Sequence, residues 1–338
     1  MARCACGGLL ASVFYSFGIA LPPILKAGSQ HLKSGVRAHL VRDLVARKAI
    51  AGEIVMALAI SGCIRVDTTV EPYAGSDVAN LQTTGQKEGN FYVVNGSKKF
   101  ITSGCKADYF TVAVRTGDPG FFGISLLLID AKSSGISTRR MQTQGWWLSN
   151  TAFVTFDNVK VPAQNVIGKE NRGFLLIMAN FNKERFSMAI MSNRYARICL
   201  EESIRFARER KTFGKRLIDH QVIRHKIAEM IRQIETTHAL LGNVPSCNES
   251  RASGTPQEIA GSVSLLKVQA TRTFEFCAKE ATQVAHVGDF TQILGGAGVL
   301  REGKGERVER LYREVRVQAI GGGSEEIMND FAMRQAKL

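Results

Sequence analysis

The spacing of the apolar residues changes twice along this chain, from helical at the start to a period of two and back to helical, and those changes decide what it can fold into. From about Leu81 to Val161 the period shortens to two, and short β-rich runs follow at Tyr109 to Arg115, Ile124 to Ile129 and Ala152 to Phe156, which predicts strands. After Gly168 the interval becomes three or four: Met188, Met191, Tyr195 and Ile198; then Ile223, Ile227, Met230 and Ile234; then Val263, Leu266, Ala270, Cys277, Ala281 and Val284. Each of these sets lines one face of a helix. The expectation is an α+β protein with three parts: a helical remnant over 1–55, an antiparallel β domain over 56–165, and a helical domain over 166–338. In the last, three long antiparallel helices and a fourth near the end make a four-helix bundle.

Local signals refine this outline. Phe91-Tyr92-Val93-Val94 runs into Asn95-Gly96, the pair favoured in tight hairpin turns, so a hairpin is expected there with Lys99 to Ile101 running back. Asp157-Asn158 is expected as a further turn and Pro162 as a strand stop. The stretch from Asn243 to Gln257, rich in Ser, Pro, Gly and Asn, reads as an exposed loop between two helices.

With 338 residues and 45% apolar content the chain can bury a large core. Its seven cysteines lack paired CxxC spacing and its six histidines form no HExxH pair, so no metal is expected and a reducing compartment fits best. A net charge of +14 attracts phosphate-bearing partners, whether nucleic acid, acidic lipid or coenzyme A. The basic residues from Arg205 to Arg216 and from Arg301 to Arg316 are interleaved with Glu and form no contiguous stripe, which argues against nucleic acid. The apolar stretch Gly7 to Leu25 is interrupted by Ser12, Ser16 and Pro22-Pro23 before it reaches the ~20 residues of a bilayer span. It reads as a buried helix rather than a membrane span. The final Ala336-Lys337-Leu338 is a near variant of the SKL peroxisomal address, so a peroxisomal location is expected, with the mitochondrial matrix as the alternative.

The chemistry is concentrated in dispersed motifs. Glu71-Pro72-Tyr73-Ala74-Gly75-Ser76-Asp77 sets glycine beside hydroxyl and carboxylate groups, which lets a ligand approach the backbone closely. It is followed by Lys99-Phe100-Ile101-Thr102-Ser103-Gly104 at a strand end and by Arg210-Lys211-Thr212-Phe213-Gly214-Lys215 at a helix end. Then come His220-Gln221, Gln292-Ile293-Leu294-Gly295-Gly296 and Gly321-Gly322-Gly323-Ser324-Glu325-Glu326. In this order and spacing the segments resemble the acyl-CoA dehydrogenase family over roughly the whole chain.

That resemblance implies an enzyme with FAD as cofactor and an acyl-CoA as substrate, oxidised to the trans-2-enoyl-CoA. Electrons would pass to an electron-transfer flavoprotein or to oxygen, and the protein would be a homodimer or homotetramer. Residue by residue, it implies cofactor contacts at Ser61, Ser76, Phe100, Ile101, Thr102, Gln292, Ile293, Leu294, Gly295, Gly296, Ser324 and Glu326. Arg210, Thr212, Phe213 and Gln221 would meet the flavin of a partner subunit. Ser76, Asn182, Arg185, Gly322 and Gly323 would line the acyl-CoA channel. Most relatives have Trp where this chain has Phe100, and most carry the catalytic Glu at the position of Gly322, which has no side chain to act as a base.

The family's other site for that carboxylate falls on Asn182-Lys183-Glu184-Arg185-Phe186 at the start of the long helix after the β domain, so the resemblance makes Glu184 the base, as in the isovaleryl and long-chain branches. From its neighbours alone, Glu184 would be an exposed helix-start carboxylate favoured by the macrodipole. Two departures from the family stand out: fewer helices ahead of the β domain, and an insertion from Gly62 to Val70. They keep open the reading of a catalytically silent shortened relative, and the strongly basic charge keeps open that of a DNA-binding flavoprotein of the alkylation-response type.

Overall fold

The computed structural model describes residues 11, 14–29, 53–60, 62–63, 77–244, 256–282 and 293–336. It divides into two compact units, Gly8–Phe181 and Asn182–Leu338.

The first unit is built on a nine-stranded sheet. Its strands are β1 (Met56–Ala59), β2 (Gly62–Cys63), β3 (Thr84–Glu88), β4 (Phe91–Ile101), β5 (Tyr109–Arg115), β6 (Ile124–Asp130), β7 (Ile136–Arg140), β8 (Ala152–Pro162) and β9 (Val166–Ile167). The main path runs β7-β8-β4-β3-β5-β6-β9, with β1 beside β5 and β2 beside β4. Most pairings are antiparallel, as the sequence predicts, but β1 and β3 each meet β5 in parallel. Strands β5 and β6 are apolar on both faces. Phe110, Val112 and Val114 enter one core with Leu127, Ile129 and Phe156, while Ala113, Ile124, Leu126 and Leu128 enter a second. A strand covered on both sides loses its polar alternation, which explains the continuous apolar runs here.

The second core also takes Ala20 of a short π-helix (Tyr15–Ala20), Ile24 of α1 (Pro22–Ala27) and Leu21 between them. The prolines expected to break this stretch instead open α1, where a missing N–H costs nothing. Backbone groups freed at this irregular point are satisfied from the sheet and from Asn180: the Thr111 hydroxyl donates to Ala20 O at 3.0 Å and Asn180 Nδ2 to Ile19 O at 3.2 Å.

The hairpin expected at Asn95-Gly96 is absent. Strand β4 continues through it, and the turn lies earlier, at Gly89-Asn90, where Glu88 pairs with Phe91. Asn95-Gly96 faces the other misread pair, Asp157-Asn158, across a shift in the β4–β8 register between Val94↔Val159 and Gly96↔Phe156. The result is a double irregularity inside one ladder, with Gly96 at φ 136° and Asn158 at φ 52°. Asn95 bridges it by donating from Nδ2 to Asn158 Oδ1 at 3.1 Å and accepting from Asn158 N–H at 2.8 Å. Turn-forming residues serve here because a bulge needs the same positive φ that a turn does.

The second unit is helical: the continuation of α2 (Gly173–Glu209), then α3 (Gln221–Asn243), α4 (Pro256–Thr282), α5 (Glu306–Ile320) and α6 (Glu325–Gln335). Apolar positions that the helical spacing singled out, such as Met188, Tyr195, Ile223, Met230, Val263 and Ala270, are buried. Val284 and most of the expected loop from Asn243 to Gln257 lie outside the described residues. Helix α4 packs against α3, α5 and α6, and its Phe274 ring meets Tyr195 of α2 at 5.4 Å between centroids. The segment expected as a helix end after Glu209 is a small hairpin, β10 (Lys211–Thr212) against β11 (Lys215–Arg216). Phe213 and Gly214 both take positive φ at its tip, as a two-residue type I′ turn requires. No helix among the described residues is long and apolar enough to cross a membrane.

Candidate active site

Glu184 is not at a helix start. Helix α2 begins at Gly173, so Glu184 sits three turns in, beyond the reach of the N-terminal dipole, and it is only 5% exposed. The reading of Glu184 as a solvated helix-start carboxylate is therefore excluded. Beside it Arg185, also buried, donates from Nε to Gly322 O at 3.0 Å and from Nη1 to Asn182 Oδ1 at 3.4 Å. Its guanidinium lies 5.2 Å from the Phe331 ring centroid. Burial pushes the Arg185 pKa down, and the negative charge of Glu184 acts against that push.

The partner of this pair is the turn Gly321–Gly323 between α5 and α6. Gly322 has φ 67° and Gly323 φ 115°, values that a side chain strains. A Cβ placed on Gly322 would lie 3.0 Å from Met188 Sδ, 3.6 Å from Arg185 Cγ and 4.0 Å from Glu184 Cγ. The space beside Glu184 is thus the space that a side chain at 322 would enter. A second carboxylate there would crowd Met188 and repel Glu184.

Lys267 of α4, unnoticed in the sequence, holds the same turn. It is fully buried and donates from Nζ to Ala319 O at 2.5 Å and to Gly323 O at 2.6 Å. Burial and the nearby Arg185 push its pKa down to about 8, against the pull of Glu184, Glu325 and Glu326. Past the turn, Ser324 and Glu326 stand at the start of α6. Glu326 is held below its ordinary pKa by its own backbone N–H and by the Ser324 hydroxyl.

The positions expected to hold the cofactor fall into three places along the chain. At the end of β4, Phe100 has φ 62° and is 61% exposed, Ile101 is buried and Thr102 half-buried. The Lys99 ammonium lies 5.0 Å from the Phe100 ring centroid. At the β10–β11 tip Phe213, with φ 51°, is 69% exposed. Arg210 sits over Phe206, Thr212 Oγ1 lies 3.0 Å from His220 Nε2, and Gln221 opens α3. In the third place Ile293 and Leu294 are buried, Gly295 has φ 52°, and a Cβ on Gly296 would meet nothing within 4 Å.

A bulky residue at positive φ costs ~1–2 kcal/mol, and Phe100 and Phe213 bear that cost while turning their rings to solvent. Open aromatic faces suit a planar ring system, and an open glycine backbone suits a diphosphate, so these residues fit FAD. Ser61, Ser76 and Gln292, the rest of the Glu71–Ser76 motif, most of the Gly62–Val70 insertion and the terminal Lys337-Leu338 lie outside the described residues.

A second buried lysine was also missed. Lys98 of β4 donates from Nζ to Ile60 O at 2.9 Å, and burial pushes its pKa down to about 7. It fixes the backbone immediately before Ser61. One signal for Lys267 was present: it falls between Val263 and Ala270 on the inward stripe of its helix, where a lysine has no solvent to reach.

Residues 171–337 match the family model for the acyl-CoA dehydrogenase C-terminal domain, and residues 68–159 match that for the middle domain. The acyl-CoA dehydrogenase AFT10-1 of Alternaria alternata is 38% identical over 338 residues, 99% of this chain and 72% of that protein. The cyclohexane-1-carbonyl-CoA dehydrogenase of Geobacter metallireducens is 30% identical over 306 residues, 90% of this chain and 71% of the other. Among solved structures, a probable acyl CoA dehydrogenase from Mycobacterium abscessus is similar with a TM-score of 0.85 and 39% identity, over 98% of this chain and 79% of that one.

Proposed function

Because this chain belongs to the acyl-CoA dehydrogenase family, we propose that Glu184 is the base that takes the α-proton of an acyl-CoA thioester held beside the Gly321–Gly323 turn. The family depends on FAD, and the chain is an oxidoreductase that acts on acyl-CoA. When bound, FAD supplies the acceptor for the hydride that leaves the β-carbon, so that the thioester becomes a trans-2-enoyl-CoA.

One observation carries the reading: a buried carboxylate on α2 faces a place in the turn between α5 and α6 where the chain has no side chain. Removal of an α-proton needs one carboxylate against the α-carbon and room for the substrate beside it. Glu184 supplies the first and Gly322 the second. Arg185 contributes by holding Gly322 O, which fixes the height of the turn relative to Glu184. The Gly322 N–H finds no acceptor among the described residues and is the donor we assign to the thioester carbonyl, where it makes the α-proton more acidic.

The same reading takes α2, α3, α4 and α5 as a four-helix bundle. It assigns FAD contacts to Phe100, Ile101 and Thr102 and to Ile293 through Gly296. It makes the protein a homodimer or a tetramer of dimers in which the exposed Phe213 packs on a second copy, and it leaves the electrons to an electron-transfer flavoprotein or to oxygen. The test is the visible spectrum of the purified protein in anaerobic buffer with an acyl-CoA added. The expected result is flavin absorption that bleaches on addition, with a product two mass units lighter than the substrate. Bound flavin that no acyl-CoA bleaches would overturn the proposal.

A further inference from the structure

Three glycines in succession give a turn with no side chains of its own to hold it and the largest backbone entropy to lose. The Gly321–Gly323 turn is held from outside instead. Two of its N–H groups are used internally, Gly321 to Val317 O and Gly323 to Ile320 O. Its carbonyls are taken by cations from two other helices. Arg185 holds Gly322 O, while the Lys267 ammonium brackets the turn from both sides, one donor on Ala319 O and another on Gly323 O. Both cations are buried, at 7% and 0% exposure.

Burying an ammonium is expensive, and a methionine or leucine at 267 would pack on the stripe of α4 without that cost. The lysine adds a grip on the backbone either side of Gly322. The residue so gripped is the one whose absent side chain opens the space beside Glu184.

We propose that Lys267 is a positioning residue: by fixing Ala319 O and Gly323 O it sets the Gly322 backbone against Glu184, so that a thioester bound there meets the base at reacting distance. This rests on the reading of Glu184 as the base. Lys267 touches neither the substrate nor the proton. A shift of about 1 Å at a reacting centre costs on the order of 10²-fold in rate, so a loosened turn lowers the rate of the chemical step more than it lowers binding.

The test uses the flavin-loaded protein with Lys267→Met and with Lys267→Gln, a neutral residue that keeps a donor. Two readouts are taken on each. Amide hydrogen exchange of a peptide covering 319–324 reports the turn without reference to activity. Anaerobic stopped-flow with acyl-CoA gives the limiting rate of flavin bleaching separately from the dissociation constant.

Lys267→Met is expected to speed exchange across 319–324 by about tenfold or more and to cut the limiting rate on the order of 10²-fold, with the dissociation constant changed by less than about threefold. Lys267→Gln is expected to recover part of both and carries the test if the methionine variant does not fold. Unchanged exchange overturns the proposal, and so does faster exchange with an unchanged limiting rate. A wild-type protein whose flavin acyl-CoA does not bleach, but whose turn loosens in Lys267→Met, overturns instead the reading of Glu184.

Discussion

Two lysines, Lys98 in the sheet unit and Lys267 in the helical unit, are both fully buried, yet their surroundings differ. Lys98 has one carbonyl partner, Ile60 O, and burial alone takes its pKa to about 7. Lys267 has two carbonyl partners and lies within reach of Glu184, Glu325 and Glu326, whose charges hold its pKa nearer 8 despite the opposing Arg185. Each lysine ties down an irregular stretch of backbone, but only Lys267 does so beside the candidate base. Burial alone therefore does not tell what a buried cation is for; the segment it holds does.

The strongest way to break this comparison is to remove each ammonium in turn. Lys267→Met is expected to lower the limiting rate of flavin bleaching on the order of 10²-fold while bound flavin per chain stays unchanged. Lys98→Met, which frees Ile60 O just before Ser61, is expected to lower the flavin bound per chain, read as the ratio of visible to ultraviolet absorbance, with the rate per bound flavin unchanged. If both variants lose the same property, the two lysines are not distinct in role.

A second contrast lies in pH. Both folded-state pKa values fall below the unfolded value of about 10.4, so the unfolded chain holds more protons in between and stability rises with pH across that window. The gain is complete above the unfolded pKa and is lost as pH falls through about 7 for Lys98 and about 8 for Lys267. Between pH 7 and pH 9 it amounts to about 2 kcal/mol for Lys98 and about 1 kcal/mol for Lys267. Urea unfolding at the two pH values is expected to show a rise in the wild type that Lys98→Met loses to a greater extent than Lys267→Gln. An equal loss in both would mean that the acidic neighbours of Lys267 do not act on it.

A third contrast concerns the bulge that precedes Lys98. Gly96→Ala would bring a Cβ to 2.8 Å from the Thr83 Cα and is expected to cost about 2 kcal/mol, whereas Gly89→Ala, at φ 57° with nothing within 4 Å, costs about 1 kcal/mol. Thermal melting of the two variants distinguishes a bulge at Gly96 from a free turn, since a free turn would make the two costs equal.

The helical faces were legible in the sequence because burial on α2, α3 and α4 follows spacing, and spacing needs no knowledge of partners. Strands β5 and β6 were legible instead as short apolar runs of strand length, since burial on both faces removes any alternation. Asn95-Gly96 and Asp157-Asn158 were misread because a bulge and a turn ask for the same residues; what separates them is the strand paired alongside, which no local signal reports. Glu184 was singled out as the candidate base through the resemblance and through Gly322, not through its neighbours, since Lys183 and Arg185 suggest an exposed face. The two lysines were missed because lysine is ordinarily solvated, and only a carbonyl contributed by a distant segment makes its burial tolerable. The positive φ of Phe100 and Phe213 is likewise a property of the tertiary setting.

The central claim is that Glu184 removes the α-proton, and the most direct measurement compares Glu184→Gln with the wild type in anaerobic single-turnover reduction and in acyl-CoA binding. The account predicts that the variant binds flavin and acyl-CoA within about threefold of the wild type and reduces its flavin on the order of 10³-fold more slowly. Reduction at the wild-type rate would contradict it and would place the base elsewhere.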